Sequence, residues 1–184
     1  MSIDSVLREV QTFFDNKICA DFTFKKPPSV EDQDTDNYNY ELVRPKTFIM
    51  YPPMKEKLPS VTIQVDEGEI YRNTSSGELK LRFLFGTWSN GFHYVDEKTG
   101  TRCFEDNSEG WHDVWNFVDR AIDVLCHTTY FGDKVRIKHE DRIRVGGMKE
   151  DNVLANYYPY WFAWITCTVQ YGQISSNEDT NDLI

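Results

Sequence analysis

The sequence lacks the excess of basic residues that nucleic-acid binding requires. Its 184 residues include 20 Lys and Arg against 30 Asp and Glu, a net charge of −10, and no run of five basic residues occurs. Because phosphate binding depends on Lys and Arg displacing counterions, this balance argues against a DNA-binding protein and against binding to an anionic membrane.

Long apolar runs are also missing. The N-terminal MSIDSVLREV does not have the positively charged segment followed by an apolar segment that marks a secretory signal. No segment is long and apolar enough to predict a membrane-spanning helix. We therefore expect a cytoplasmic protein that does not bind membranes.

Cysteines are few and scattered. Cys19, Cys103, Cys126 and Cys167 contain no C-x-x-C pair, so their spacing predicts neither a disulfide framework nor a zinc site. Since free cysteine is among the most buried residue types, we expect Cys126 and Cys167 to be small hydrophobic residues of the core.

Catalytic motifs are equally scarce. His112 and Asp113 are adjacent, so on a helix they point about 100° apart and cannot act as a base and its orienting partner. Asp119 and Asp123 share a helical face, but without a nearby His or Glu they are more simply solvated than metal-bound. The sequence predicts no catalytic residue, no metal or cofactor, and no enzyme.

Two acidic pairs nevertheless keep a hydrolytic function open. Asp66 is followed by Glu67, and Glu140 by Asp141, and glycosidases act through two carboxyl groups. Acidic pairs in an acidic protein are usually solvated loop residues, so we rank this interpretation below a structural role. Gly146 and Gly147 lack the surrounding residues of a phosphate-binding loop and predict a turn.

Hydrophobic periodicity predicts two amphipathic helices. Apolar residues at three- and four-residue steps place the first over residues 4–17. The second, EGWHDVWNFVDRAIDVLC at residues 109–126, is capped at Asn107 or Ser108. Its apolar stripe assigns both of its tryptophans to the core.

Alternation of apolar and polar residues predicts the strands. They do not alternate regularly with helices, which favours an α+β fold: a mostly antiparallel sheet with two helices packed on one face. The predicted strands are 20–25, 47–51, 61–65, 79–85, one or two within 135–145, and 161–171. An acidic loop at 27–40, an insertion at 86–107 with a hairpin around Lys98–Gly100, and a flexible acidic tail at 172–184 complete a single domain of residues 1–171.

Aromatic residues make up 15% of the chain, a high share. Alternation along the last strand puts Tyr160, Phe162 and Trp164 on one face. If the helices cover only the other face, these aromatics meet either loops of the same chain or another subunit, and both alternatives stay open.

The order of the elements resembles the tail terminator (tail completion, or tail-to-head joining) proteins of tailed bacteriophages. The resemblance covers residues 1–171. It rests on the N-terminal helix, the Pro-rich segment ending in LPSVTIQVDEG, the strand LKLRFLFGTW, the helix EGWHDVWNFVDRAIDVL and the final strand YWFAWITCTVQY. Loop 27–40 and insertion 86–107 are longer than a minimal member needs.

The resemblance implies a structural virion protein, made in the bacterial cytoplasm. Such subunits form a ring, usually a hexamer, that ends growth of the tail tube and meets a head connector or neck protein, while DNA passes through the lumen unbound. The subunit-interface candidates are Trp88, Phe92, Tyr94, Tyr158 and Tyr160. A neck, head-closure or baseplate protein of similar particles is the alternative; a carbohydrate-binding or hydrolytic module is the third.

Overall fold

The structure, a computed structural model, describes residues 1–28, 41–52, 58–73, 76–90, 92–95, 98–100, 102–105, 110–150, 153–154 and 157–172. It contains two α-helices, a short 3-10 helix at Cys19–Asp21 and thirteen strands within these ranges. The helices are α1 (Ile3–Lys17) and α2 (Trp111–Cys126); the strands are β1 (Phe24–Lys25), β2 (Leu42–Val43), β3 (Lys46–Ile49), β4 (Ser60–Tyr71), β5 (Ser76–Trp88), β6 (Phe92–Val95), β7 (Arg102–Glu105), β8 (Tyr130–Phe131), β9 (Val135–Ile137), β10 (Arg144–Gly147), β11 (Lys149–Glu150), β12 (Val153–Leu154) and β13 (Tyr160–Gly172).

The predicted α+β class is confirmed. The main sheet has the order β3-β4-β5-β13-β9-β8, and β10 pairs with β13 beyond the end of β9. Every pair in it is antiparallel except β3 with β4. The two helices pack on one face of this sheet, against β3, β5, β8 and β13.

Helix α1 begins where the sequence indicates. The Ser2 hydroxyl accepts a hydrogen bond from the Ser5 N–H at 3.2 Å. The negative charge of Asp4 in the first turn interacts favourably with the positive end of the helix dipole. The apolar stripe is buried as expected, and its members are Val6, Leu7, Val10 and Phe14.

Helix α2 corrects one core prediction. It begins at Trp111 with Gly110 at the N-cap, while the expected caps, Asn107 and Ser108, lie outside the described residues. Trp115 is half-buried against the core, but Trp111 is 43% exposed and stacks on His112. Helical side chains point back toward the N-terminus, so the first residue of the helix extends past its packed stripe. The buried positions are Val114, Phe117, Val118, Ala121 and Leu125.

The β4–β5 hairpin is longer than the alternation suggested. β4 continues beyond residue 65 through a register shift between Val65 and Glu67, and it pairs with β5 as far as Tyr71 and Ser76. The connection between the two strands therefore shrinks to the few residues between Tyr71 and Ser76. From Asp66 onward β4 is exposed, because this half of the hairpin extends beyond the helices.

Other strand predictions stand with smaller changes. The segment 135–145 forms two strands, β9 and β10, and the hairpin around Lys98–Gly100 is formed by β6 and β7. The predicted strand 20–25 is partly wrong, because its first half forms the 3-10 helix Cys19–Asp21. Most of the acidic loop 27–40 and all but the first residue of the tail 172–184 lie outside the described residues.

Two of the cysteines behave as buried thiols. Burial raises the pKa of Cys19 and of Cys167 to about 12, which keeps both protonated at neutral pH and unreactive. Cys167 was expected in the core, and this is confirmed. Cys126 was expected there too, but it is exposed, because it follows the buried Leu125 on α2 and so points about 100° away from the sheet.

Candidate functional site: an open sheet face with a charged cleft

The face of the sheet opposite the helices is the part of the molecule with the most functional side chains. Along β5, Leu79, Leu81, Phe83 and Phe85 are buried under the helices. The alternate residues Lys80, Arg82 and Leu84 therefore point to the opposite face, together with Thr166 and Thr168, which pair with Arg82 and Lys80 from β13. No helix of the described part of the chain packs on this face. We call it the open face.

One half of the open face is aromatic. Phe162 and Trp164 are both half-buried, and a Cβ atom on Gly146 would lie only 2.7 Å from the Trp164 ring. The Trp164 indole N–H donates to the Gly147 carbonyl at 3.0 Å. The expected Gly146–Gly147 turn is thus wrong: these glycines belong to β10, where the missing side chain makes room for the indole.

The other half of the open face holds a polar cleft of about 560 Å³. Its acidic members come from β4, β5 and the β9–β10 connection, and its basic members come from β5 and from the segment 138–144. Thr166 and Thr168 of β13 line it as well. The acidic residues are Glu67, Glu69, Glu78, Glu140 and Asp141; the basic residues are Lys80, Lys138, Arg142 and Arg144.

Glu78 is the centre of a hydrogen-bonded group in this cleft. It accepts from the Gln170 amide at 2.6 Å and from the Lys138 ammonium at 2.9 Å. These two bonds favour the ionised carboxylate, so they lower the pKa of Glu78, while the hydrogen bond to Glu78 raises the pKa of Lys138. At the rim, the Tyr71 hydroxyl donates to Glu69 at 2.8 Å, and this raises the pKa of Tyr71.

We expect Glu78→Gln to destabilise the protein at neutral pH but not in acid. The pKa of Glu78 is lower in the folded chain, so its stabilisation is present above the ordinary value of 4.5 and is lost as the pH falls through the folded value. At neutral pH we expect a loss of about 1 kcal/mol, discounted for solvent screening. Urea unfolding at neutral pH and well below 4.5 measures it. A difference from wild type that stays constant with pH contradicts the prediction.

The two acidic pairs converge only in part. Glu67, Glu140 and Asp141 line one cleft, which residue spacing could not show, whereas Asp66 pairs with Arg82 at 2.9 Å. Arg136 contacts Glu140 at 3.4 Å, and Lys138 lies 4.0 Å from Asp141. Glycosidases hold one carboxyl protonated in apolar surroundings, and these carboxylates instead face basic side chains.

The interface candidates separate into three groups. Trp88 is only 3% exposed, which corrects its placement on a contact surface: it ends β5 opposite Tyr160, and its neighbours Thr87 and Ser89 are buried with it. Phe92 and Tyr94 lie in β6, and their side chains are outside the described residues. Tyr158 and Tyr160 are 37% and 40% exposed, as a contact role requires.

We call four exposed aromatic residues the aromatic end: Tyr157, Tyr158 and Tyr160, which precede Trp161 in the chain, and Trp111, which follows Gly110. The Tyr158 hydroxyl donates to the Asn90 carbonyl at 3.0 Å, and its ring meets Trp161 edge-on. Gly110 brings the start of α2 close to this point, since a Cβ atom there would collide with the Trp161 indole nitrogen. Trp111 was missed as a surface residue because the pattern assigned it to the core.

The polar residues of α2 differ in exposure and partners. His112 is exposed, whereas Asp113 is half-buried. Burial raises the pKa of Asp113 and lowers that of Lys25, and the opposite charges of the two residues partly offset both shifts. Asp123 contacts Arg120 at 3.0 Å. Among the described residues, no group of three His, Cys, Asp or Glu side chains could hold a metal ion.

Comparison with known proteins assigns no family. Within the described ranges, no helix is both long and apolar enough to cross a membrane. No protein-family model matches the chain, and a search of curated proteins gives no significant match.

Proposed function

We propose that this chain is a structural virion protein that forms a ring at the head-proximal end of a phage tail tube, ends tube growth and joins tail to head. The observation that supports it most is the aromatic end. Exposed tyrosine and tryptophan side chains are enriched in protein contacts because they bury a large area at a low entropic cost. The fold class also agrees with what the resemblance implies.

The proposed partners follow from the same assignment. Copies of the chain associate into a ring, with six as the expected number, and the ring contacts the tail tube on one side and a connector or neck protein on the other. The net charge of −10 suits a channel through which DNA passes, since like charge disfavours binding to phosphate. The proposed location is the virion, after assembly in the bacterial cytoplasm.

Another neck, head-closure or baseplate protein of the same kind of particle is the alternative within this class. Only a terminator stops the growth of the tube. Polymerisation of the tube protein with and without this chain therefore separates the two: a terminator gives shorter tubes capped at one end, and other ring proteins leave tube length unchanged.

The polar cleft favours one function from a different class, carbohydrate binding or hydrolysis. Its support is the convergence of Glu67, Glu140 and Asp141 on one surface. A glycan-binding screen with wild type, Glu67→Gln and Glu140→Gln, both in the cleft, tests it. Binding or hydrolysis that both substitutions abolish would favour this function over the ring.

Immunogold electron microscopy of the particles tests the main proposal directly, with an antibody against this chain. Label at the head-proximal end of tails supports the terminator. Label at the distal end moves the chain to the baseplate, and no label on any particle overturns a structural role.

A further inference from the structure

One edge of the main sheet stays unpaired along half of β4. β3 pairs with β4 only as far as Ile63. Just past that point the Tyr51 N–H donates to the Ile49 carbonyl at 2.9 Å, in a tight turn at Met50, whose φ is 68°. β4 runs on, paired with β5 on its other side. We call residues 65–71 on the side away from β5 the free edge, since no described strand covers them.

Backbone hydrogen bonding decides which groups face the free edge. The Ile63 carbonyl accepts from the Met50 N–H at 2.8 Å, on the side away from β5. In an antiparallel pair such a residue and its partner, here Phe83, both direct their N–H and C=O groups out of the pair. Every second residue of β5 repeats this arrangement, so Leu79 and Gly77 also direct their backbone groups away from β4.

The β4 partners of Leu79 and Gly77 are Gly68 and Ile70, and both are exposed. Their N–H and C=O groups therefore point toward the free edge, and Gly68 has no side chain to shield them. Within the described residues no hydrogen bond reaches these four groups. An incoming strand would pair with a β4 that β5 already holds extended, so only the incoming segment would lose conformational freedom.

Two carboxylates stand beside these backbone groups. Glu67 and Glu69 lie on the open face and line the polar cleft. Glu67 is opposite Lys80, and Glu69 accepts from the Tyr71 hydroxyl, but in the described part of the chain neither carboxylate has an ion pair. On the other face Ile70 is 54% exposed. An added strand would thus present alternate side chains to the two carboxylates and to Ile70.

A second copy of the same edge is a poor occupant. In the antiparallel register that pairs Gly68 with Ile70 of the second copy, the Glu69 side chains of the two copies lie directly opposite each other. Like charges in that position destabilise a pair of strands. The same two carboxylates attract a segment that carries Lys or Arg at the facing positions, so charge selects a different chain.

We infer that the free edge of β4 binds an extended basic segment of another protein, which adds to the main sheet as one further strand. Its alternate residues are Lys or Arg, facing Glu67 and Glu69, and the residues between them are apolar, with one beside Ile70. Main-chain hydrogen bonds to Gly68 and Ile70 hold the segment, and the charges select it. This contact is separate from the aromatic end and does not depend on the proposed ring.

A synthetic peptide tests the strand pairing with the wild-type protein. The probe is a capped, fluorescent seven-residue peptide of alternating lysine and valine, and its control is the same peptide methylated at every backbone nitrogen. The two carry the same charge, but the control cannot donate backbone hydrogen bonds. We expect the control to bind at least about tenfold more weakly in fluorescence anisotropy, since each lost hydrogen bond weakens binding.

Variants of the free edge test the site. Ile70→Pro removes an outward N–H and keeps the β4–β5 hydrogen bonds, so we expect at least about a tenfold loss of peptide binding, whereas Ile70→Thr keeps the N–H and most of the binding. Glu67→Gln/Glu69→Gln should weaken binding about 3- to 10-fold. Asp119→Asn/Asp133→Asn, which removes the same charge far from β4, is the control and should bind as wild type does. Circular dichroism and urea unfolding check each fold.

Each result supports or overturns the inference. Binding that needs the peptide N–H groups, the Ile70 N–H and the two glutamates supports it. Binding that survives methylation or Ile70→Pro is charge attraction without an added strand and overturns it, as does a wild type that binds no peptide at about 1 mM. A folded Glu67→Gln/Glu69→Gln variant that binds as wild type does overturns the basic character of the partner. Self-association that Ile70→Pro abolishes assigns the edge to a second copy instead. None of these outcomes bears on the aromatic end.

Discussion

Replacing Phe14 with alanine is expected to lower the free energy of unfolding by about 3–5 kcal/mol, the range measured for phenylalanine truncation in protein cores. The Phe14 ring is fully buried and stacks on Phe83 at 4.4 Å, nearly parallel to it. It also meets the rings of Phe85 and Phe131, so it connects α1 to β5 and β8. Single domains are stable by only about 5–15 kcal/mol, so this loss is a large share of the total.

Urea unfolding followed by circular dichroism measures this loss. Ile3→Ala on the same helix is the matched control, because Ile3 is 41% exposed and its truncation should cost less than about 1 kcal/mol. A Phe14→Ala variant within about 0.5 kcal/mol of wild type would contradict the packing of α1 on the sheet. The experiment does not depend on the function of the protein.

Under the proposed function, replacing Tyr158 and Tyr160 with serine is expected to prevent the joining of tails. Tyrosines that anchor an interface cost about 2 kcal/mol or more when truncated, which is about 30-fold in affinity for each. Both side chains are more than a third exposed in the single chain, and the aromatic end is the surface to which we assign protein contact. Complementation of a phage that lacks this gene, with tails counted by electron microscopy, measures the effect.

The control for this pair is Leu42→Ser, which removes an exposed apolar side chain, 63% exposed, from β2 outside the main sheet. It should complement normally. Single Tyr158→Ser and Tyr160→Ser variants separate loss of the protein contact from loss of folding. Tyr158→Ser also removes the hydrogen bond from the Tyr158 hydroxyl to the Asn90 carbonyl, whereas Tyr160 lies at the start of β13. Normal tails from a folded double variant would remove the aromatic end from the proposed function.

The fold class and the central elements were predictable from the sequence because their signals are local. α1 repeats its apolar residues at helical steps, and β5 alternates strictly from Leu79 to Phe85. Each pattern matches one face of one element, and burial of that face decides its structure. The extension of β4 to Tyr71 was not predictable, because these residues are exposed and only their pairing with β5 makes them a strand.

Sequence patterns identified the candidate surface less completely. The exposure of Tyr158 and Tyr160 agrees with their selection as contact residues, but Trp88 is covered within the chain. Whether an aromatic residue near the end of a strand is covered depends on what packs over that end. For Trp88 this was settled by the approach of β13, which is distant in the sequence.

The sequence by itself determined an acidic α+β domain with two amphipathic helices and with strands in which apolar and polar residues alternate. It could do so because charge and periodicity are properties of neighbouring residues. Only the tertiary structure decided that Glu67, Glu140 and Arg144 line one cleft. These juxtapositions depend on strand order, and strand order is fixed by pairing between segments far apart in the chain.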